Sequence, residues 1–333
     1  MKRRNENTLG ESLRPDCPTA GTDRNEDGGG GIQEPIFIIR VLANRLPGNG
    51  NQIMQKLVIA TALAIMMLMG TGTAAFAAAE AIPVAVSILP QASIVEGIAG
   101  KRARVHVMIP KGASPETYEP TPQQLVALAD SRIYVKVGSP DLPFEEKYLR
   151  TFTDRNRKLV LVNMTEGVTC RPEDPHVWTS PAAVRIGAGN IARALAAYDP
   201  RHREEYERNL GAYSSQIDAL DGEIGRALAG KKGYSFMVFH PAWGYFADDY
   251  GLNQLSIEEE GKPVSAAHIR KMVDLARAKG IKAILVQKGF DTKSARTLAR
   301  EIGAEVIETD PLERDWLSGM RTFTALMTRI LKK

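Results

Sequence analysis

Four side chains with metal-binding or acid–base chemistry lie in loops between strand-like and helical runs: Glu116, His176, His240 and Asp310. Imidazoles and carboxylates brought to one point can hold a divalent transition metal, or can drive metal-assisted hydrolysis. His176 lies in EDPHVWTSP, where prolines on both sides fix a loop ahead of a helix, and His240 lies in MVFHPAWGYF, directly after an apolar strand. Glu116 falls in IPKGASPETYEPTP and Asp310 in IETDPLERDW, each again following a strand. Open parallel sheets bind ligands beyond the carboxyl ends of their strands, so all four share a functional address. They are 60, 64 and 70 residues apart, and no local motif of the H-E-x-x-H kind joins them. Singly, each has an ordinary structural reading: a histidine after a strand is often a satisfied core or cap residue, and Asp310 before Pro311 can cap a turn. His106 sits inside a strand and His202 and His268 lie in charged helical contexts, so these three read as structural or surface residues.

The elements that must position the four follow from hydrophobic periodicity. Residues 82–88, 103–109, 132–137 and 159–162 have the length and β-branched content of strands, with helical patterns at 91–98, 122–129, 144–152 and 181–197 between and after them. Strands recur at 235–239, 254–257, 281–286 and 305–308, alternating with helices at 242–250, 266–279, 293–302 and 317–331. Repeated β-α alternation predicts a parallel sheet with helices on both faces, here twice. The segment 200–230 differs in kind: Tyr206, Leu210, Tyr213, Ile217, Leu220, Ile224 and Leu228 recur at steps of three and four, predicting one helix about 40 Å long. The expected fold is therefore α/β: two Rossmann-like lobes, 82–198 and 231–333, joined by a stiff helix over 200–230.

The 333 residues carry 43 Lys and Arg against 39 Asp and Glu, a net charge of +4 with no basic stripe, which argues against nucleic acid as a partner. Two cysteines, Cys17 and Cys170, make no disulfide framework and no zinc-ribbon or iron–sulfur ligand set, so a metal would be held by histidine and carboxylate. Residues 1–53, with glycines 28–31 in a row and no apolar period, are expected to be disordered or to precede the true start. Residues 54–77 run from a short cationic start at Lys56 through an apolar stretch to small residues around Ala75 and Ala77, the order of a secretory signal peptide. A spanning helix is the alternative, but Gly70 and Gly72 interrupt the run and no basic stop-transfer cluster follows. No cysteine suited to lipid anchoring follows the apolar run. The mature chain is thus expected outside the cytoplasmic membrane, in the periplasm or its equivalent, with Cys170 a buried inert thiol or an adventitious ligand.

Several segments, taken in order, add to this. PKGASPETYEPTPQQLVALADSRIYVKVG, DPHVWTSPAAVRIGAGNIARAL, the helix containing DPRHREEYERN, FHPAWGYFADDYGL, GKPVSAAHIRKMV and TDPL resemble the periplasmic solute-binding receptors of ABC-type zinc and manganese importers, the cluster A-I metal receptors. The resemblance spans essentially all of 82–333. It implies two α/β lobes joined by one rigid helix, with a divalent metal clasped in the interlobe cleft by Glu116, His176, His240 and Asp310. The first segment departs from the family pattern G-x-x-P-H-x-Y-E-P: Gly112, Pro115, Tyr118, Glu119 and Pro120 match, but Glu116 stands where relatives usually present His. A carboxylate there still suits Zn²⁺ and moves the set towards Mn²⁺ or Fe²⁺. Two carboxylates and two neutral imidazoles would neutralise a dication. Trp178, Trp243, Tyr118 and Tyr245 flank these positions and fit either water exclusion or core packing, while Gln287 and Lys288 end a strand from which they could hydrogen-bond to ligands. The resemblance implies a monomeric receptor, not an enzyme, that delivers Zn²⁺, or alternatively Mn²⁺ or Fe²⁺, to the membrane permease of an ABC importer. The rivals are a metal-dependent hydrolase, which would keep an open ligand position and a general base, and a cell-surface adhesin of the same family.

Overall fold

The computed structural model describes Thr61 and residues 80–139, 142–258, 265–288 and 293–331. The expectations for 1–53 and 54–77 lie outside these residues, Thr61 apart. Residues 77–333 form one compact unit. Among the described residues no helix is long and apolar enough to cross a membrane.

The first half holds β1 (Ile82–Val86), α1 (Leu89–Ala99), β2 (Ala103–Val107), α2 (Pro122–Ala129), β3 (Ile133–Lys136), α3 (Pro143–Arg155), β4 (Val160–Asn163) and α4 (Pro181–Tyr198). The second holds β5 (Ser235–Val238), α6 (Gly244–Tyr250), β6 (Asn253–Ser256), α7 (Ala266–Ala278), β7 (Ala283–Gln287), α8 (Lys293–Ile302), β8 (Glu305–Thr309) and α9 (Trp316–Ile330). Between them runs α5 (Arg203–Ala227). Each half builds a four-stranded parallel sheet, ordered β2-β1-β3-β4 and β6-β5-β7-β8, so the two follow the same winding rule. The inner strands are covered on both faces, which is why Val84, Ala85 and Val86 of β1 and Ile284, Leu285 and Val286 of β7 read as unbroken apolar runs rather than alternating ones.

In both sheets the winding reverses beside the first strand, the place where open α/β sheets leave a crevice. In the first sheet the protein fills that crevice itself. Glu145, near the start of α3, accepts backbone N–H bonds from Val137 at 2.6 Å and Gly138 at 2.8 Å and the hydroxyl of Ser87, which in turn shares a 2.7 Å hydrogen bond with Tyr134. Burial pushes the Glu145 carboxyl above its ordinary range, against these hydrogen bonds, which favour the ionised form. In the second sheet the equivalent crevice lies between β5, followed by His240, and β7, which ends at Gln287.

The long helix is shorter than its periodicity predicts. Pro200–His202 winds as a 3-10 turn, held by Asp199, whose carboxylate accepts from Tyr206 at 2.9 Å and pairs with His202 at 2.6 Å. The regular part covers 25 residues, about 37 Å at 1.5 Å per residue. Its buried stripe of Tyr206, Tyr213, Ile217, Leu220 and Ile224 packs on α1, α4 and α9, so it touches both halves. A side chain at Gly97 of α1 would meet the Tyr213 ring at 2.6 Å, which makes that crossing a glycine position. One apolar core runs from Val84, Ile94 and Tyr134 through Trp178 to Trp243, Phe246, Trp316 and Phe323; a smaller one, with Met237, Ile284 and Leu298, covers the other side of the second sheet. The shared core leaves little freedom for the halves to swing apart.

Candidate metal centre

Each of the three converging side chains is placed by a local device. Glu116 follows β2 in a turn where Ser114 holds the chain: the Ser114 hydroxyl accepts from the Glu116 N–H at 3.2 Å and its carbonyl from Tyr118 N–H at 3.0 Å. His176 comes after β4, in Asp174-Pro175-His176, and begins the 3-10 turn Val177–Thr179 whose Thr179 bonds back to the His176 carbonyl at 2.9 Å. His240 follows β5. The parallel register Val238↔Ser256, carried two residues further, sets His240 beside Glu258, and Glu258 N–H donates to Phe239 O at 2.9 Å.

Glu116, His176 and His240 each offer a ligand atom within 4.8 Å of the other two. The Nε2 atoms of His176 and His240 are 3.0 Å apart, and Glu116 Oε1 is 3.3 Å from His240 Nε2. Tetrahedral zinc with bonds of about 2.0–2.1 Å spaces its donors by about 3.4 Å, so these separations are close to those of a filled site. Both histidines are buried, with 6% and 7% of their surface exposed, and Glu116 is half-buried.

The outer ring nitrogens settle the tautomers. His176 Nδ1 is 2.9 Å from Asp174 Oδ1, and His240 Nδ1 is 2.9 Å from Glu258 Oε2. Ionised carboxylates only accept hydrogen bonds, so each Nδ1 donates to the carboxylate behind it and each Nε2 is turned towards the shared space. The two Nε2 atoms face each other with a carboxylate beside them, a spacing suited to one cation, a metal ion or a proton, held by all three groups. Burial drives the His176 imidazole below its ordinary pKa, outweighing the hydrogen bond it donates to Asp174, which acts in the opposite sense. A ring kept neutral in this way is available to a metal rather than to a proton. Asp174 Oδ2 lies 3.1 Å from Arg171 Nε, and Arg171 also pairs with Asp248 of α6. Gly244, the first residue of α6, has no room for a side chain, since a Cβ there would stand 2.4 Å from Asp174 Oδ2.

The cavity shared by Glu116, His176, His240, Gln287 and Trp178 measures about 10 Å³, room for one water-sized or ion-sized particle. An organic substrate does not fit. Trp178 tilts against His176 with ring centroids 5.1 Å apart and helps seal this space. Trp243 instead stacks on Phe323 at 3.4 Å, Tyr118 donates to Gln124 at 2.7 Å, and the Tyr245 hydroxyl accepts from Arg171 N–H at 2.7 Å.

Asp310 does not join the three. Its Oδ1 accepts from Leu312 N–H at 2.9 Å, a turn cap, and it borders a separate cavity of about 330 Å³ with Trp243, Lys288 and Glu308. Cys170 also stays outside, half-buried with its thiol 3.9 Å from Val168 O. The carboxylates at the two Nδ1 atoms, Asp174 and Glu258, escape a reading of the sequence alone. The DPH triplet was the available signal for Asp174, whereas Glu258 depends on strand register.

Comparison with known proteins bears on the family and the fold. The family described as zinc-uptake complex component A, periplasmic, matches residues 84–333. The high-affinity zinc uptake system protein ZnuA of Bacillus subtilis (strain 168) is 27% identical over 258 residues, covering 69% of this chain and 78% of that protein. The iron-binding protein YfeA of Yersinia pestis is 28% identical over 224 residues, 64% of this chain and 71% of that one. A crystal structure of ZnuA superposes with a TM-score of 0.73 at 38% identity, covering 76% of this chain and all of that one.

Proposed function

Because this chain belongs to the family of periplasmic zinc-uptake components, we propose that it captures a divalent transition metal outside the cytoplasmic membrane and hands it to the permease of an ABC importer. Zn²⁺ is the first candidate, with Mn²⁺ and Fe²⁺ as the alternatives that a carboxylate at 116 admits. Glu116, His176 and His240 hold the ion. The observation that carries this reading is the facing pair of Nε2 atoms, 3.0 Å apart with Glu116 beside them, each ring fixed by a carboxylate behind it. The ion supplies the positive charge that this arrangement calls for.

The residues act as follows. Asp174 and Glu258 orient the imidazoles and raise their basicity. His176 comes from the first half and His240 from the second, so the bound ion couples the two. With a shared core and α5 packed on both, we expect release and capture to proceed by small rearrangement near the ligands, the ion-bound surface being what the permease recognises. Residues 54–77 act in this reading as the export signal, and the mature receptor works as a monomer. A family of uptake components gives no support to the hydrolase alternative, and a cavity sized for one small particle leaves no place for a scissile substrate.

The test is metal analysis of the purified chain, followed by Glu116→Ala and His176→Ala. Stoichiometric Zn²⁺ or Mn²⁺ in the parent and its loss in both variants, with no hydrolytic turnover, is the expected result. A parent protein that binds none of the three metals in competition with a weak chelator would remove the proposal.

A further inference from the structure

We infer that Gln287 is the fourth donor of the ion site, its side-chain oxygen bonding the metal directly; this rests on the receptor reading above. Gln287 ends β7, at the crevice of the second sheet, and is 8% exposed. Its Oε1 is buried and finds no hydrogen-bond donor among the described residues. A buried amide oxygen without a partner is unfavourable, and proteins rarely tolerate one without a use for it. Gln287 borders the same small cavity as Glu116, His176 and His240.

The size of the cavity makes the contact direct: it has room for one small particle, so an ion that occupies it leaves no space for a bridging water. Asp310, the residue assigned to the fourth place by sequence, lies one step past Thr309, which pairs with Gln287 across β7 and β8, and is engaged with Leu312. In this inference the neighbouring strand supplies the fourth oxygen. An amide oxygen also bears on metal choice. Zn²⁺ is content with few donors and favours nitrogen, whereas Mn²⁺ favours oxygen and a fuller shell, so Gln287 should matter most for Mn²⁺.

The experiment uses the purified full chain and its Gln287→Leu, Gln287→Ala and Gln287→Glu variants. Zn²⁺ and Mn²⁺ affinities are measured by chelator competition, the Co²⁺ absorption spectrum reports coordination, and Mn²⁺ water-proton relaxation counts bound water. Gln287→Leu is expected to weaken Mn²⁺ by about tenfold or more and Zn²⁺ by less than about threefold. It should change the Co²⁺ spectrum and leave the melting temperature of the metal-free protein unchanged or raised, since no hydrogen bond of Oε1 is lost. Gln287→Ala should admit a water to bound Mn²⁺, and Gln287→Glu should keep or tighten Mn²⁺. Should Gln287→Leu fail to fold, the Glu variant decides: weakened Mn²⁺ binding there counts against the inference. If the parent binds metal and Gln287→Leu keeps its affinities and Co²⁺ spectrum, the inference is overturned while the receptor reading stands. If the parent binds no metal, both fall.

Discussion

Trp316 donates its indole N–H to the carbonyl oxygen of Trp178 at 2.7 Å, joining the start of α9 to the turn that follows His176. The Trp178 indole in turn donates to Pro311 O at 2.8 Å, so two buried hydrogen bonds tie that turn to the chain between β8 and α9. Trp178 packs on His176, and the pair therefore fixes a ligand from one half against the backbone of the other. Trp316→Phe removes one donor and leaves the Trp178 carbonyl buried and unpaired, at about 1–3 kcal/mol. For a domain of this size each kcal/mol lowers the melting temperature by about 2–4 °C. We expect a drop of several degrees in a thermal melt and faster metal dissociation in a stopped-flow chelator chase. An unchanged dissociation rate would mean that the indole pair stabilises the fold without steadying the ligand.

Asp174 accepts from both the backbone N–H of His176, at 3.0 Å, and its ring, at 2.9 Å, while its second oxygen faces Arg171. Asp174→Asn keeps the shape but replaces one acceptor oxygen with a donor nitrogen. Either His176 loses its ring partner or Arg171 faces an N–H₂. Partners of this kind are worth about 10- to 100-fold in metal affinity. We expect that loss for Asp174→Asn and, at His240, for Glu258→Gln, both read by chelator competition. Wild-type affinity in both variants would show that the carboxylates serve the fold alone.

Much of this architecture was legible in the sequence, for reasons that can be named. The helix over 122–129 has the bounds Pro122–Ala129 because Thr121 and Gln124 form a capping box and Pro122 opens it. Glu116 and His240 are legible because each follows a strand, whose end shows as the close of an apolar run, and His176 because prolines on both sides fix its loop ahead of a helix. The long helix was read too long because periodicity does not register that Pro200 starts a 3-10 turn. Asp310 is suggested by its place after a strand and by the family resemblance, neither of which registers that one of its oxygens caps the turn at Leu312. Glu258 and Gln287 were harder. One meets His240 only through the β5–β6 register, and an unpaired buried amide is a property of three-dimensional surroundings that spacing does not encode.

Glu116 is the one carboxylate among the three converging side chains, 3.3 Å from His240 Nε2. Glu116→His would substitute a neutral nitrogen donor for a charged oxygen. Imidazole suits Zn²⁺ better than Mn²⁺, so the ratio of Zn²⁺ to Mn²⁺ affinity should rise by about tenfold or more. Glu116→Gln keeps an oxygen but removes the charge, and should weaken both metals with little change in the ratio. Competition titrations of the three proteins read this directly, and an unaltered ratio in Glu116→His would place the origin of selectivity elsewhere.

Burial holds the His176 imidazole below the ordinary histidine value of about 6.5, and this sets the sign of a pH effect. As pH falls through about 6.5 the unfolded chain takes up a proton at this residue while the folded, metal-free protein does not. The unfolded state then binds more protons, so stability is fully present above about 6.5 and declines on acidification until the folded value is passed. The melting temperature of the metal-free protein should fall between about pH 7.5 and 5.5, and His176→Gln should flatten that slope by removing the titrating ring. Metal adds a second dependence of the same sign. The ion and the proton compete for the same Nε2, so the stabilisation conferred by a fixed excess of Zn²⁺ must shrink as pH falls. Because His176 gives up its proton so readily, that shrinkage should begin at lower pH than for a free imidazole. Paired melts with and without Zn²⁺ across this range measure both effects. A metal-induced rise in melting temperature that stays constant down to about pH 5 would mean that the ion is held by groups other than these histidines.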